Sequence, residues 1–77
     1  MISGNIFKSS SRESIVINGN KNVLTNNVCD GDVVISGSGN IINCLAFTTE
    51  NAKLILSDDA CNTTEIFGVS PDRIIRQ

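Results

Sequence analysis

The chain matches itself at a shift of 18 residues. Residues 15–28 read IVINGNKNVLTNNV and residues 33–46 read VVISGSGNIINCLA, so Ile17 meets Ile35, Gly19 meets Gly37 and Asn22 meets Asn40. Val23 then meets Ile41, and Leu24 meets Ile42. Apolar and turn-forming positions repeat together, which is the signature of stacked structural units that bury their faces against one another.

A shorter spacing lies inside this one. Ile17, Val23, Cys29, Ile35, Ile41 and Phe47 follow one another every six residues, and all are apolar. At an apolar content of 40%, such a string arises by chance about 0.4% of the time, and roughly 10% after allowing for choices of phase and period. The string alone therefore decides nothing. Gly19, Thr25, Gly31, Gly37, Asn43 and Thr49 stand two positions after each member. Gly and Asn tolerate the positive φ of a tight corner. An inward aliphatic residue followed by a permissive corner describes one side of a triangular coil, and three sides give about 18 residues.

The expected fold is thus all-β: a small single-domain parallel β-solenoid with about 18-residue triangular coils and a short C-terminal capping segment. Residues 1–14 form an N-terminal partial coil and loop, 15–69 the coils and 70–77 the cap. The polar run 8–14 reads as a loop, and so does Thr48-Thr49-Glu50-Asn51. After Phe47 two alignments compete. Leu54, Ala60 and Ile66 keep the six-residue spacing after one insertion, whereas Leu54-Ile55-Leu56-Ser57 matches Val33-Val34-Ile35-Ser36 at a shift of 21. Ser70-Pro71-Asp72 has helix-start character, which would lay Ile74 and Ile75 over the open end of the last coil. The alternative fold is a small antiparallel β-sandwich or barrel, which alternating strands and Gly-Asn turns also fit.

Alternation within strands assigns faces. The expected core is Ile15, Ile17, Val23, Cys29, Val33, Ile35, Ile41, Phe47, Leu54 and Ile66. Val16, Val34 and Ile55 would then stack outside as one aliphatic stripe, and Leu24 with Ile42 as a second. Contiguous apolar stripes on a surface mark interfaces. They lead us to expect a homo-oligomer through Val16, Val34, Ile55, Leu24 and Ile42, with a trimer favoured over a dimer because a three-sided prism packs around a threefold axis. Asn22 and Asn40 are expected to stack as a short amide ladder.

Chemistry is sparse. The chain has no histidine, so the commonest general base and metal ligand are missing. Cys29 reads as core, and Cys44 and Cys61 carry no sign of activation. Asp30-Gly31-Asp32 and Asp58-Asp59 read as turns, and Gly37-Ser38-Gly39 lacks the third glycine of a dinucleotide loop. No catalytic, cofactor or metal residues are assigned. The net charge of −2 with six scattered basic residues excludes nucleic-acid binding that rests on a basic surface. No apolar run approaches the roughly 20 residues of a membrane span. The start, Met1 to Phe7, lacks a basic leader before an apolar run, and three cysteines without CxxC spacing suit a reducing cytoplasm.

The spacing from Ile17 to Phe47 resembles the hexapeptide repeat of left-handed β-helices, whose enzymes are trimeric acyltransferases with a histidine base. That resemblance implies the fold and a trimer, and without a histidine it does not carry the activity over. The glycines fall one position later than in those hexads, which leaves handedness open. Ile17-Asn18-Gly19 and Ile35-Ser36-Gly37 are also similar to Gly-and-Asn repeats of bacterial β-solenoid domains without known activity. The leading functional expectation is a non-enzymatic oligomeric binding protein with a protein partner, one form of which is a small phage-encoded inhibitor of a host defence complex. The alternatives are a structural filament or spike module, and a sponge holding a small nucleotide-like ligand between protomers.

Overall fold

The computed structural model describes residues 1–7, 13–57 and 59–77. Among the described residues nine strands follow in order: β1 (Ile2–Ser3), β2 (Ile6–Phe7), β3 (Glu13–Ile17), β4 (Val23–Cys29), β5 (Asp32–Ser36), β6 (Ile41–Phe47), β7 (Leu54–Ser57), β8 (Glu65–Phe67) and β9 (Ile74–Arg76). A one-turn helix, α1 (Ala60–Thr63), precedes β8, and a 3₁₀ turn over Pro71–Arg73 precedes β9. Every strand pairing is parallel. This excludes the antiparallel sandwich, and the chain is a small parallel β-solenoid of about three turns.

One sheet runs β3-β5-β7-β9, and the other runs β1-β4-β6-β8 with β2 also on β4. The 18-residue match is realised rung on rung: Ile17 lies beside Ile35, Val23 beside Ile41 and Leu24 beside Ile42. For the third turn the shift of 21 holds, since Val33 pairs with Leu54 and Ile35 with Leu56. Loop 48–53 and α1 absorb the extra residues, so that Ile42 meets Ile66. Of the expected loop at 8–14, Glu13 and Ser14 belong to β3, while 8–12 fall outside the described residues.

The six-residue rule misplaces one side of each coil. In an unbroken strand Val23 and Cys29 would share a face. Asn26, midway along β4, has φ 54°, and Cys44, midway along β6, has φ 59°. A left-handed residue bends the strand and shifts the alternation by one position. The buried set on β4 is accordingly Leu24, Asn27 and Cys29, and on β6 it includes Ile42 and Leu45. Leu24 and Ile42, expected on the outer surface, are 1% and 0% exposed, so the second stripe does not exist. Val23 and Ile41, expected in the core, sit half-buried outside it. The corners fall at Asn26 and Cys44, one residue beyond the expected Thr25 and Asn43. Gly4 and Gly68, at φ 66° and 68°, continue the same column above and below.

Ile15, Cys29, Val33, Ile35 and Leu54 are buried as expected, with Ile17, Phe47 and Ile66 packed against the core, and Leu56, outside the expected set, is buried with them. Each buried Leu or Ile contributes about 1.5–3 kcal/mol. The C-terminal segment is not a lid. β9 pairs with β7 as a further rung, which turns Ile74 toward the core and Ile75 outward. Pairing with β7 gives the backbone of residues 74–76 hydrogen-bonding partners, which a segment laid flat over the end would lack.

Candidate interaction face

No residue of β3, β5, β7 or β9 has positive φ, so beyond the register shift between Glu13 and Ile15 period-two alternation survives along the sheet. Ile15, Val33 and Leu54 point inward, as do Ile35 and Leu56, leaving the residues between them on the outside. Register then stacks Val16 on Val34, Val34 on Ile55 and Ile55 on Ile75. At a strand spacing of about 4.8 Å these four side chains form a column roughly 14 Å long. Val16 is 53% exposed and Ile75 39%, and Val34 and Ile55 between them are half-buried. The expected stripe of Val16, Val34 and Ile55 is therefore assembled. Ile75 is a fourth member that sequence reasoning missed, because Ser70-Pro71-Asp72 pointed to a cap where a strand follows.

Hydrogen bonds fix both flanks of the column. On one side the Ser36 hydroxyl donates to Asn18 Oδ1 at 2.7 Å. On the other the Ser14 hydroxyl donates to Asp30 Oδ1 at 3.1 Å and accepts from the Gly31 N–H at 2.8 Å. Asp32 is buried, and its Oδ1 accepts the Lys53 N–H at 2.9 Å, tying the second rung to the third. Beside the lower half of the column a depression of about 310 Å³ is lined by Asp30, Asp32, Thr49, Asn51 and Lys53, with Ile55 and Ile75 at its margin. It carries two carboxylates against one ammonium, a poor match for a phosphate.

A second apolar outward column among the described residues is shorter. Ile6, Val28 and Ala46 stack on the far side, with Ile6 72% exposed. It ends in alanine after three rungs.

Little reactive chemistry lies near either column. Burial pushes the Cys29 thiol from 9.0 up to about 11, and the Asp30 carboxylate adds to the rise, so it stays protonated at neutral pH. The three cysteines are free thiols. Among the described residues no group of His, Cys, Asp and Glu is placed to hold a metal ion, and no helix is long and apolar enough to cross a membrane.

The expected amide ladder takes another form. Asn22 and Asn40 do occupy neighbouring rungs, and the Asn22 carbonyl accepts the Ile41 N–H at 2.9 Å. The buried Asn40 amide, however, binds backbone rather than its counterpart. A second buried asparagine, Asn27, does the same against the first rung, donating to the Ile2 carbonyl at 3.0 Å and accepting from the Asn5 N–H at 3.2 Å. Both asparagines support corners and leave no amide for a ligand.

Fold and surface together define a small parallel β-solenoid with one sheet face carrying an unbroken aliphatic column. No family model, curated protein or solved structure matches the chain.

Proposed function

We propose that the chain is a non-enzymatic interaction protein that self-associates side by side through its β3-β5-β7-β9 face. The observation that carries this reading is the four-rung column Val16, Val34, Ile55 and Ile75, aligned by strand register and still accessible at both ends. An apolar strip of this length on a rigid sheet gains from being covered. A second copy supplies a matching strip, and a three-sided prism favours three copies around a threefold axis over two. The assembled scaffold would then present its corners and outer loops to a protein partner. A phage-encoded inhibitor of a host defence complex is the form that suits a chain of this size without histidine. The acidic lining beside the column speaks against the nucleotide-like ligand.

Light scattering behind a sizing column at tens of micromolar tests the assembly. The expected mass is three times that of the 8.2 kDa chain, and Ile55→Asp is expected to reduce it to a single chain while leaving the far-ultraviolet spectrum unchanged. A wild-type protein of one chain mass overturns the proposal. The partner is sought by capture from host lysate with a tagged trimer, using the Ile55→Asp monomer as the control.

A further inference from the structure

The outermost strand of a sheet has outer N–H and C=O groups that can pair with another copy. β9 lies at such an edge. Register places its last residue, Arg76, beneath Leu56, at the foot of the column Ile17, Ile35, Leu56. Ile35 and Leu56 are completely buried. A cation therefore stands where the repeat calls for an aliphatic residue. Its Nε donates to the Cys61 carbonyl at 3.4 Å, which holds the exposed guanidinium across the end of the molecule.

A second arginine treats the neighbouring side in the same way. After β8 the chain reaches Pro71 and a 3₁₀ turn instead of a strand beneath Leu45–Phe47. Arg73 follows, and its Nη1 donates to the Thr49 and Ala52 carbonyls at 2.8 and 2.9 Å. Its guanidinium carbon lies 5.3 Å from the centre of the Phe47 ring. Loop carbonyls and the aromatic face at this end are thus already engaged within the chain.

We infer that Arg76, supported by Arg73, stops the solenoid from growing end to end. A copy adding its β3 below β9 would bring its Ile17 against Arg76 and enclose the guanidinium between Leu56 and Ile17. No carboxylate belongs to that column, so the charge would lose water without gaining a partner. Inward-pointing charges on edge strands block pairing in this way. Sideways association through the aliphatic column is untouched, and the inference holds whether or not that association occurs.

Sedimentation velocity and negative-stain microscopy over rising concentration test it. Arg76→Val should form rods along the solenoid axis, with weight-average mass at least about tenfold above wild type at the highest concentration. Arg76→Lys, which keeps the charge, should sediment like wild type. Arg76→Thr is a smaller uncharged change with the same expected outcome as Arg76→Val, and it covers the case in which the valine variant does not fold. Folded, uncharged variants that sediment like wild type overturn the inference. So do rods formed by the wild type, or amorphous aggregates in place of rods.

Discussion

Asn40 bridges the corner of the rung above it: its Oδ1 accepts the Asn22 N–H at 2.8 Å and its Nδ2 donates to the Gly19 carbonyl at 3.0 Å. Gly19 and Asn22 are the first and last residues of a four-residue corner. The amide thus supplies, from the next rung, the two hydrogen-bonding groups that such a turn would otherwise pair with each other. Asn27 spans Ile2 and Asn5 identically. Parallel stacking needs every corner to open at the same place, and a buried carboxamide enforces that spacing.

Removing the Asn40 amide leaves a buried carbonyl and N–H without partners. Asn40→Ala is expected to destabilise the fold by about 2–4 kcal/mol. Asn22→Ala retains the backbone N–H that Asn40 uses, and it should cost less than about 1 kcal/mol. Urea denaturation of the two variants measures the difference. Equal losses would show that the corner does not depend on the amide.

Glycine is required at Gly37 by a close approach. With φ 134° and the Gly19 carbonyl oxygen 2.2 Å from where a Cβ would stand, Gly37→Ala must push two rungs apart. Gly4 has nothing within 4 Å of that position and only the strain of φ 66°. Gly4→Ala is expected to cost about 1 kcal/mol, and Gly37→Ala more than about 3 kcal/mol. Thermal unfolding of both variants ranks them, and a similar midpoint for the two would refute the close-packing account.

Leu24 and Val16 separate core from face. Leu24→Ala and Ile42→Ala empty fully buried sites and should each cost about 2–5 kcal/mol. Val16→Ser should cost less than about 1 kcal/mol while weakening self-association. Denaturation curves combined with light scattering distinguish the two effects. Loss of assembly without loss of stability in Leu24→Ala would return Leu24 to the surface.

Cys29 makes stability fall in alkali. Its thiol is raised from 9.0 to about 11 in the fold, chiefly by burial and secondarily by Asp30. Below pH 9 both folded and unfolded chains carry the proton, and this group leaves stability level. Between pH 9 and 11 the unfolded chain ionises first, so stability drops by about 1.4 kcal/mol per pH unit. Cys29→Ala should remove that share of the slope. A thiol reagent should label the exposed Cys44 in the native state and reach Cys29 only on unfolding; equal labelling rates would contradict the burial.

The parallel winding was legible because Ile17/Ile35 and Gly19/Gly37 recur at one shift, a match that favours stacking over the antiparallel alternative. Most of the β3-β5-β7-β9 side was legible too. Alternation in Ile15-Val16-Ile17, Val33-Val34-Ile35 and Leu54-Ile55-Leu56 is uninterrupted, so Val16, Val34 and Ile55 of the outer column followed from period two, whereas Ile75 did not. The bent side was hidden. Asn26 tolerates positive φ better than the β-branched Thr25. On the next rung, however, the same preference points to Asn43, whereas Cys44 is the left-handed residue, so residue type alone does not place the corner. That single residue exchanges Val23 for Leu24 and Ile41 for Ile42.

The sequence by itself pointed to a chain that stacks on itself and to Val16, Val34 and Ile55 as one outward stripe. Tertiary structure decided where β4 and β6 bend, and that residues 74–76 extend the sheet instead of covering it. The reason is physical: periodicity is a property of one strand, whereas corner position and strand pairing depend on hydrogen bonds offered by the adjacent turn.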